Sequence, residues 1–310
     1  MKTATQQAAF IAGDWGTSHL RLYLCDAAGQ VLQQRDGPGI ASLQAARNQS
    51  GFDWQAQLSN LLAVWPPDLP VWLCGMIGSN IGWINVPYVN CPTDVDQLAQ
   101  HAHSPVSNIF IAAGLSATNC NDALDVMRGE ETQIVGALRL QPSLRQGKQL
   151  LCLPGTHTKW VLLEFGKVMQ FTTATAGELF AALKQHSILV PQEAGTEHNA
   201  LVFLQAVRQA QRHPALLQLI FECRSRQISG QLSAADAGDY LSGLLIGTDV
   251  LSAVQAYGSL PITIIGAPIL TQRYAAACRQ LNSDCQPLDG AQAALAGLTH
   301  YYSHHHRQPS

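Results

Sequence analysis

A strand–turn–strand pattern occurs twice in this chain and restricts its possible folds more than any other feature. The first copy spans residues 10–24 and turns through residues 13–18 (GDWGTS), with leucine at every second position of its second strand. That period of two is typical of β-sheet. The second copy spans residues 150–163 and turns through residues 154–159 (PGTHTK). The first copy continues into a third strand, so the chain is predicted to begin with an antiparallel meander rather than a βαβ unit.

The composition favours two lobes and excludes several classes of partner. The chain has 310 residues, of which 47% are hydrophobic, and a chain of this length buries roughly 75% of its unfolded surface, enough for two modest cores. Charged residues make up only 13% of the chain, so a long disordered tail is not expected. The 18 basic and 21 acidic side chains lack the basic excess that nucleic-acid binding requires.

The expected organisation is an N-terminal lobe of residues 1–140, a C-terminal lobe of residues 141–288, and a last helix with a polar tail, residues 289–310, that packs back on the first lobe. The polar segment 141–148 is the predicted linker. A long helix is predicted over residues 239–257, ending at Gly258.

No targeting or membrane-spanning segment is expected. The N-terminus is polar, and no stretch reaches the roughly 18 apolar residues of a membrane span. The sequence therefore predicts a cytoplasmic protein. The eight cysteines lack a C-x-x-C pair and are expected to be reduced and mostly buried, while His304, His305 and His306 are expected to form a solvated end rather than a metal site.

Common nucleotide and catalytic motifs are missing from the sequence. The Gly-Lys dipeptides at Gly147 and Gly166 are followed by Gln149 and Val168, so neither is a Walker P-loop. The dinucleotide fingerprint, H-E-x-x-H, G-x-S-x-G and the protein-kinase signatures are missing too.

The two turns are candidate phosphate loops. Small residues in the first turn allow backbone N–H groups to form an anion-binding nest, and Asp14 could hold a magnesium ion. The second turn offers two hydroxyls and a cation that could contact β- and γ-phosphates. Either turn alone fits an ordinary hairpin, but the duplication favours a nucleotide clamped between lobes. The candidate residues are Gly13, Asp14, Trp15, Gly16, Thr17 and Ser18 in the first loop, and Gly155, Thr156, His157, Thr158 and Lys159 in the second.

Two further segments are candidate parts of the site. Residues 126–133 (VMRGEETQ) form the densest charge cluster. This cluster fits either a helix N-terminus with acidic first-turn residues or a catalytic unit in which a carboxylate accepts a hydroxyl proton while Arg128 neutralises a phosphate or a substrate carboxylate. The glycine-rich loop 75–83 is either a simple turn or part of a polyol pocket. Its candidate substrate residues are Gly75, Met76, Gly78, Ser79, Asn80 and Trp83.

With these segments in place, the chain resembles the sugar-kinase, actin and heat-shock-protein superfamily, and more closely the 2-dehydro-3-deoxygalactonokinases. The matching segments run in family order from about residue 10 to 300, and DVMRGEETQ and PGTHTKWV are the most specific. They are DWGTS at 14–18, GMIGSNIGW at 75–83, DVMRGEETQ at 125–133, PGTHTKWV at 154–161, TAGELF at 175–180 and LSGLLIG at 241–247.

The resemblance implies an α/β, two-lobed actin-like ATPase (ribonuclease H-like) fold, in which each lobe is a mixed sheet with flanking helices and the nucleotide lies in the interlobe cleft. It implies transfer of the ATP γ-phosphate, with Mg²⁺, to the 6-hydroxyl of the small sugar acid 2-dehydro-3-deoxy-D-galactonate, in galactonate catabolism. A homodimer is compatible with it.

The resemblance also implies roles for individual residues. Asp14 holds the metal ion, the two loops with Arg21 bind the phosphates, and Glu178 lies on the substrate side. The adenosine side is formed by Gly243, Gly266, Ala267 and Pro268. Glu130, Glu131 and Asp125 compete as the catalytic base. Leu153 and Pro154 stand where the superfamily often has an aspartate, and residues 266–267 read Gly-Ala rather than Gly-Gly.

Two alternative functions stay open at this point. One is a kinase for another 2-keto-3-deoxy sugar acid, such as 2-dehydro-3-deoxygluconate, because a sequence does not fix the stereochemistry at one carbon. The other is an actin-like nucleotide-binding regulator without an acceptor hydroxyl. The 75–83 loop and the DVMRGEETQ segment favour the kinase.

Overall fold

The structure, a computed structural model, describes residues 7–43, 52–191, 198–213 and 215–307. The chain divides into two compact units. Unit 1 takes the described residues of Met1–Gln146, Glu164–Gln170 and Gly290–Ser310, and unit 2 takes those of Gly147–Leu163 and Phe171–Asp289. This division departs from the predicted lobes mainly at residues 164–170. There Val168 exchanges two backbone hydrogen bonds, of 2.9 and 3.0 Å, with Thr93 of unit 1.

Unit 1 is built on a six-stranded mixed sheet with the order β3-β2-β1-β4-β7-β6. Strand β1 pairs antiparallel with β2 and parallel with β4, so the predicted opening meander is confirmed. The strands are β1 (Phe10–Trp15), β2 (His19–Cys25), β3 (Val31–Pro38), β4 (Val71–Cys74), β6 (His103–Val106) and β7 (Ile109–Ile111). A smaller sheet contains β5 (Val89–Asn90), β8 (Leu115–Thr118) and β9 (Leu124–Met127).

Unit 2 contains a five-stranded sheet with the order β12-β11-β10-β13-β14. Its strands are β10 (Lys148–Leu153), β11 (Thr158–Glu164), β12 (Lys167–Ala174), β13 (Ile262–Gly266) and β14 (Cys285–Asp289). Strands β10, β13 and β14 are parallel. Five strands of the larger unit 1 sheet, β3-β2-β1-β4-β7, follow the same order. In both sheets the first strand of the hairpin is central, the next two strands lie on one side of it, and the later strands lie on the other side. The duplicated pattern seen in the sequence is thus the β1–β2 hairpin of one sheet and the β10–β11 hairpin of a similar one.

Ten α-helices cover the sheets among the described residues. They are α1 (Trp54–Leu62), α2 (Val95–Gln100), α3 (Glu130–Leu140), α4 (Ala176–His186), α5 (Ala200–Arg212), α6 (Leu216–Leu219), α7 (Glu222–Ile228), α8 (Ala237–Tyr257), α9 (Pro268–Gln280) and α10 (Gly290–Arg307). Helix α8 ends as predicted, with Gly258 at φ 83° in the left-handed conformation that glycine favours. The predicted linker instead contains a 3₁₀ turn, Pro142–Arg145.

Helices α3 and α10 pack with their backbones almost in contact, which fixes the position of α3 beside the candidate site. A Cβ atom at Gly136 would lie 1.7 Å from the carbonyl oxygen of Ala293, and one at Gly297 would lie 2.0 Å from that of Thr132. Only glycine allows so close an approach from both sides.

The C-terminal helix extends further than the sequence suggested. The last helix was expected to end in a polar tail with His304–His306 as a solvated end, but α10 continues to Arg307. The ring of His305 lies 5.7 Å from that of Trp72 and 4.6 Å from that of Phe110. His305 and His306 are exposed as expected, but all three histidines belong to the helix, and the His305 ring lies against aromatic side chains of the unit 1 sheet.

The remaining broad expectations agree with the described residues. All eight cysteines fall in the described ranges and are free; five are buried and only Cys120 is exposed. Burial raises the pKa of several of these thiols, to about 12 for Cys25 and Cys223. None of the described helices is long and apolar enough to cross a membrane.

Candidate functional site

Asp14 lies at the carboxyl end of β1, opposite Cys74 of the parallel strand β4. The next residue of the chain after β4 is Gly75, at φ 90°. A Cβ atom there would lie 2.8 Å from the carbonyl oxygen of Trp15 and 3.4 Å from Oδ1 of Asp14. A side chain would therefore crowd both groups, and the glycine keeps the space beside the Asp14 carboxylate open.

The electrostatic surroundings of Asp14 suit a carboxylate that receives a cation. Burial raises the pKa of Asp14 above its usual value, and the Arg21 guanidinium across the hairpin and the Cys74 thiol, 3.8 Å from Oδ1, act in the opposite direction. Because the pKa stays raised, Arg21 does not fully offset the cost of ionising this buried group, and a further positive charge would favour the carboxylate. A divalent ion with a preference for oxygen ligands would supply that charge.

The other residues of the first loop fall into two groups, one buried in the core and one in the accessible turn. The indole of Trp15 is buried and donates its Nε1–H to the carbonyl of Pro38 at 3.0 Å. Gly13 is also buried, since a Cβ there would lie 2.5 Å from the side chain of Leu73. These two predicted phosphate-binding residues therefore pack the core. The turn itself is more open: Gly16 is half-buried, whereas Thr17 and Ser18 are exposed.

The charged segment predicted from the sequence surrounds the start of α3. Gly129, at φ 110°, precedes the helix, and a Cβ atom there would lie 3.4 Å from Cα of Gly75. Glu131 is fully buried and accepts a hydrogen bond from the Gly129 N–H at 2.6 Å. Burial and the nearby Glu130 carboxylate raise its pKa to about 8. The Glu131 carboxyl is therefore largely protonated at neutral pH.

The three carboxyl groups predicted as alternative bases occupy different environments. Glu130 is half-buried in the first turn of α3. Asp125 lies on β9, where one carboxylate oxygen accepts the backbone N–H of Val126 at 2.9 Å and the other is 3.4 Å from the amide nitrogen of Asn119. These contacts alone do not identify one of the three as the base.

Arg128 carries a buried positive charge with unused hydrogen-bond donors. Its side chain is only 9% exposed, and Nη2 donates to the carbonyl of Val86 at 2.6 Å. The guanidinium carbon lies 4.4 Å from the centre of the Tyr88 ring. Nε and Nη1 are buried without a partner among the described residues. A Cβ atom at Gly78 would come within 3.1 Å of Nη1, so this glycine also leaves space beside the cation.

The glycine-rich loop provides backbone shape more than free side chains. Residues Met76–Gly78 form a 3₁₀ turn. Ser79 is buried and donates its hydroxyl to the carbonyl of Met76 at 2.7 Å, so that hydroxyl stabilises the turn. Asn80 is exposed and Trp83 is half-buried.

The second loop, in unit 2, is tied to the start of α4. Gly177 approaches so closely that a Cβ atom there would lie 2.1 Å from the carbonyl oxygen of Gly155. His157 Nε2 lies 2.7 Å from a carboxylate oxygen of Glu178. The structure thus places Glu178, predicted on the substrate side, against the second loop.

The two hydroxyls predicted in the second loop have different surroundings. Thr156 is exposed, but Thr158 is fully buried and its hydroxyl is 2.8 Å from that of Tyr274. Tyr274 in turn donates to Asp249 at 2.6 Å. Lys159 is buried too, and its ammonium group donates to the Thr173 hydroxyl at 2.8 Å. Thr158 points inward because it begins strand β11, and its side chain belongs to the core of unit 2.

A cavity of about 280 Å³ opens beside this loop, within unit 2. Apolar side chains from α4, α8 and α9 supply most of its wall, with Gly155 at one side. The lining residues are Gly155, Ala176, Gly177, Phe180, Lys184, Ser242, Leu245, Ile246, Ile269, Leu270, Arg273 and Tyr274. A space of this kind, largely apolar with a few polar groups, suits a flat ring system.

The residues predicted on the adenosine side lie around this cavity to different degrees. Gly266 ends β13, and a Cβ atom there would lie 3.3 Å from the ring of Pro154 in the second loop. Ala267 and Pro268 are exposed and lead into α9, which lines the cavity. Gly243 instead faces α5, since a Cβ there would lie 2.3 Å from the carbonyl oxygen of Phe203. That glycine serves helix packing and is not in the cavity wall.

Several residues of these sites were missed from the sequence. Tyr88 and Val86 contact Arg128 but belong to no motif. Arg273 lies at the cavity, where it pairs with Asp239 at 2.8 Å and donates to Ser242 at 2.9 Å. The sequence offered one signal for Arg273: it is a charged residue in a chain with few of them, and it lies in the first turns of the helix that follows the Gly-Ala-Pro segment.

The two sheets, the hairpin loops and the cavity define a class of protein, the actin-like ATPases and sugar kinases, and the predicted α/β fold of this class is confirmed. This chain is similar to a solved structure, the activator of 2-hydroxyisocaproyl-CoA dehydratase from Clostridium difficile with bound ADPNP. The superposition covers 97% of this chain and 99% of the activator, with a TM-score of 0.53 and 11% sequence identity. At that identity the likeness shows the fold alone.

The chain belongs to the 2-keto-3-deoxy-galactonokinase family, whose profile matches residues 14–301. It is 32% identical over 293 residues to the 2-dehydro-3-deoxygalactonokinase of Escherichia coli (strain K12), covering 94% of this chain and 96% of that one. A crystal structure from Sinorhizobium meliloti, named for the same enzyme, has 33% identity and a TM-score of 0.84, with 94% of this chain and 97% of that one covered. The resemblance drawn from the sequence motifs is confirmed.

Proposed function

We propose that this protein transfers the γ-phosphate of ATP to the 6-hydroxyl of 2-dehydro-3-deoxy-D-galactonate. Membership of the family supports the reaction class, and the names of the E. coli and S. meliloti relatives support the acceptor. The observation that carries the proposal is the buried guanidinium of Arg128, with donors that no described residue satisfies. Such a cation predicts an anionic acceptor.

Arg128 suits the carboxylate of a sugar acid. Nε carries one N–H and Nη1 two, so up to three donors await an acceptor. Glu131 does not neutralise this charge at neutral pH, because its pKa of about 8 keeps it mostly protonated. A carboxylate reaching Nε or Nη1 would gain charge-assisted hydrogen bonds in a site with little water. The exposed Tyr88 ring covers a face of the guanidinium, whereas its N–H groups donate in the plane of the guanidinium, toward its edge.

The unit 2 cavity is the proposed place for the adenine and ribose. Gly155 links the cavity wall to the second loop, whose exposed Thr156 is the remaining free side-chain hydroxyl for a phosphate. Lys159 and Thr158 contribute through the position of the backbone, since both side chains are buried. That the loops of both units contact one nucleotide stays a prediction from the sequence.

Asp14 is the proposed ligand of Mg²⁺. The fit rests on its burial, its raised pKa and the space that Gly75 leaves in front of it. A bound ion would neutralise phosphate charge as it develops, the main requirement of phosphoryl transfer. Arg21, across the hairpin, favours the ionised form of Asp14. Since ATP and a small sugar acid are both cytoplasmic metabolites, we also place the protein in the cytoplasm.

Glu131 accepts a hydrogen bond from the Gly129 N–H and is poorly suited to act as the general base. A carboxyl with a pKa of about 8 is mostly in the acid form at neutral pH and cannot accept the hydroxyl proton until it ionises. Glu130 is half-buried on the first turn of the same helix and is the better candidate of the pair. Because the transition state of phosphoryl transfer is loose, the base contributes less than positioning does.

The test is an acceptor screen with an Arg128 variant. Release of ADP is followed for the galactonate and gluconate isomers of the 2-keto-3-deoxy acid and for a neutral sugar of the same length. We expect the galactonate isomer to have the highest kcat/KM, and Arg128→Gln to raise the KM for the acid at least about 30-fold while leaving the KM for ATP nearly unchanged. Arg139→Gln, an exposed change near the end of α3, is the control.

Each other outcome decides between the alternatives. A higher KM for ATP in Arg128→Gln would assign the arginine to a phosphate, and unchanged constants would remove it from the site. A preference for the gluconate isomer would change the acceptor but not the reaction class. A rate of ADP release that none of the acids changes would favour an actin-like nucleotide-binding regulator.

A further inference from the structure

We propose that Asp96, His300 and His304 form a binding site for a divalent transition-metal ion such as Zn²⁺, separate from the proposed Mg²⁺ site at Asp14. The three residues lie in unit 1, on two helices. Asp96 is in the first turn of α2, and the histidines are on α10.

The geometry of the cluster is close to that of a metal site. His300 and His304 are four residues apart on one helix, so their side chains lie on the same face. His300 Nε2 lies 3.5 Å and His304 Nδ1 lies 3.7 Å from Oδ1 of Asp96, and the three atoms are within 4.8 Å of one another. Around a tetrahedral zinc ion with bonds of about 2.0–2.2 Å, neighbouring ligand atoms are about 3.3–3.6 Å apart. Small side-chain rotations would complete the site.

A second observation supports a ligand at this position. His300 Nε2 is buried and has no hydrogen-bond partner within the described part of the chain. Buried polar atoms without partners are rare and call for an explanation. A metal ion bound to this nitrogen and to the exposed Asp96 carboxylate would supply one.

Charged groups of both signs surround the cluster. Arg139 and Arg145 are near enough to His300 to interact with it electrostatically, and the Asp96 carboxylate acts in the opposite sense. The two arginines repel a cation, and Asp96 offsets this repulsion at close range.

The donor set selects a different class of ion from the one expected at Asp14. Two imidazole nitrogens and one carboxylate suit Zn²⁺, Co²⁺ or Ni²⁺, whereas Mg²⁺ prefers oxygen ligands in an octahedral arrangement. Three protein ligands leave a fourth position for water. The ion would join α2 to α10, and α10 packs on α3, the helix that begins with Glu130 and Glu131. Binding of the ion is therefore expected to stabilise unit 1.

The experiment uses the full chain without an added polyhistidine tag, after removal of metal with a chelator. Zn²⁺ is titrated against a chromophoric competitor, and Co²⁺ is used to read the coordination geometry from its visible absorption. We expect one ion per chain, the intense bands of tetrahedral Co²⁺, and a rise in Tm on saturation. His304→Ala and Asp96→Ala should each weaken Zn²⁺ binding at least ten-fold, and both should retain Mg²⁺-dependent kinase activity.

His306→Ala is the matched control, since His306 lies on the same helix and is exposed. We expect it to bind Zn²⁺ like the unchanged protein. Equal weakening in His306→Ala and His304→Ala, or unchanged binding in Asp96→Ala, would show adventitious binding to the histidine-rich end of the helix and overturn the proposal. Asp96 is exposed, so its variant tests the site without disturbing the core.

Discussion

The two hairpin loops look alike in sequence but are built differently. In the first, Asp14 lies beside Gly75 at the carboxyl end of a strand, and the turn residues Thr17 and Ser18 are exposed. In the second, Leu153 and Pro154 replace the acidic position, and Thr158 and Lys159 are buried in hydrogen bonds to Tyr274 and Thr173. The first loop therefore keeps a carboxylate at the end of the strand, which we propose as the metal ligand, whereas the second presents mainly backbone. Equivalent positions in a repeat need not have equivalent roles, because packing decides which side chains stay available.

The largest difference between the loops is expected at Asp14. Asp14→Asn should fold but lower kcat by about 10²- to 10³-fold, since the amide keeps the shape and loses the charge that attracts the metal. The check is kcat as a function of Mg²⁺ concentration, with circular dichroism to verify folding.

Asp26→Asn is the control for that variant, because Asp26 only accepts backbone N–H bonds in the turn between β2 and β3. We expect it to have ordinary activity. If Asp14→Asn keeps near wild-type kcat and an unchanged Mg²⁺ dependence, Asp14 is not the metal ligand and the proposed contrast between the loops is wrong.

A comparison of the buried acids next to each loop gives the next prediction. Burial raises the pKa of Glu131 to about 8 in unit 1 and that of Asp249 to about 6 in unit 2. In both cases the folded state holds the proton more tightly than the unfolded state does. The contribution of each acid to stability is therefore greatest at low pH and falls as pH rises, from about 4.5 to 8 for Glu131 and from about 3.8 to 6 for Asp249.

Between pH 6 and 8 the unchanged protein should lose stability of the order of 2–3 kcal/mol through Glu131. Glu131→Gln should not show this loss, because glutamine does not titrate. The measurement is the free energy of unfolding by denaturant between pH 5 and 8.5. Asp249→Asn is the comparison, and it should keep the slope above pH 6. An identical slope in Glu131→Gln would mean that Glu131 is ionised in the folded protein.

The two threonines of the second loop should separate stability from nucleotide binding. Thr158→Val removes a buried hydroxyl bonded to Tyr274 and should cost about 1 kcal/mol of stability with little change in the KM for ATP. Thr156→Val changes an exposed hydroxyl and should raise the KM for ATP several-fold with unchanged Tm. The measurements are Tm and the KM for ATP of the two variants. A raised KM for ATP in Thr158→Val with an unchanged Tm would show that Thr158 faces the phosphates.

The smallest effect is expected at Glu178. Its carboxylate pairs with His157, but the Glu178 side chain is 60% exposed, and surface ion pairs contribute little. Glu178→Gln should change kcat/KM less than about three-fold for either substrate. A large rise in the KM for the sugar acid would restore the substrate-side role predicted from the sequence.

The fold was largely predictable because its signals are local. The alternating leucines of β2, the apolar run of β4 and the glycine after α8 depend on neighbours within a few residues, and the duplicated hairpins indicated a strand–turn–strand unit in each half of the chain. Motif positions likewise located the segments of the candidate site.

The roles of single side chains were less predictable because they depend on distant neighbours. Thr158 is buried against Tyr274, 116 residues away, and Trp15 is bonded to Pro38 in another strand. Nothing near Arg128 in the sequence shows that Tyr88 covers it or that two of its nitrogens have no partner among the described residues. The end of α10 was misjudged for the same reason, since Trp72 and Phe110 receive His305.

The proposed reaction is best tested by identifying its product. The protein is incubated with ATP, Mg²⁺ and 2-dehydro-3-deoxy-D-galactonate, ADP is quantified, and the product is examined by ¹³C and ³¹P NMR. We expect one ADP for each molecule of acid consumed and a phosphorus atom coupled to carbon 6. ADP release that does not depend on the acid, or phosphate attached to a different oxygen, would contradict the proposed reaction.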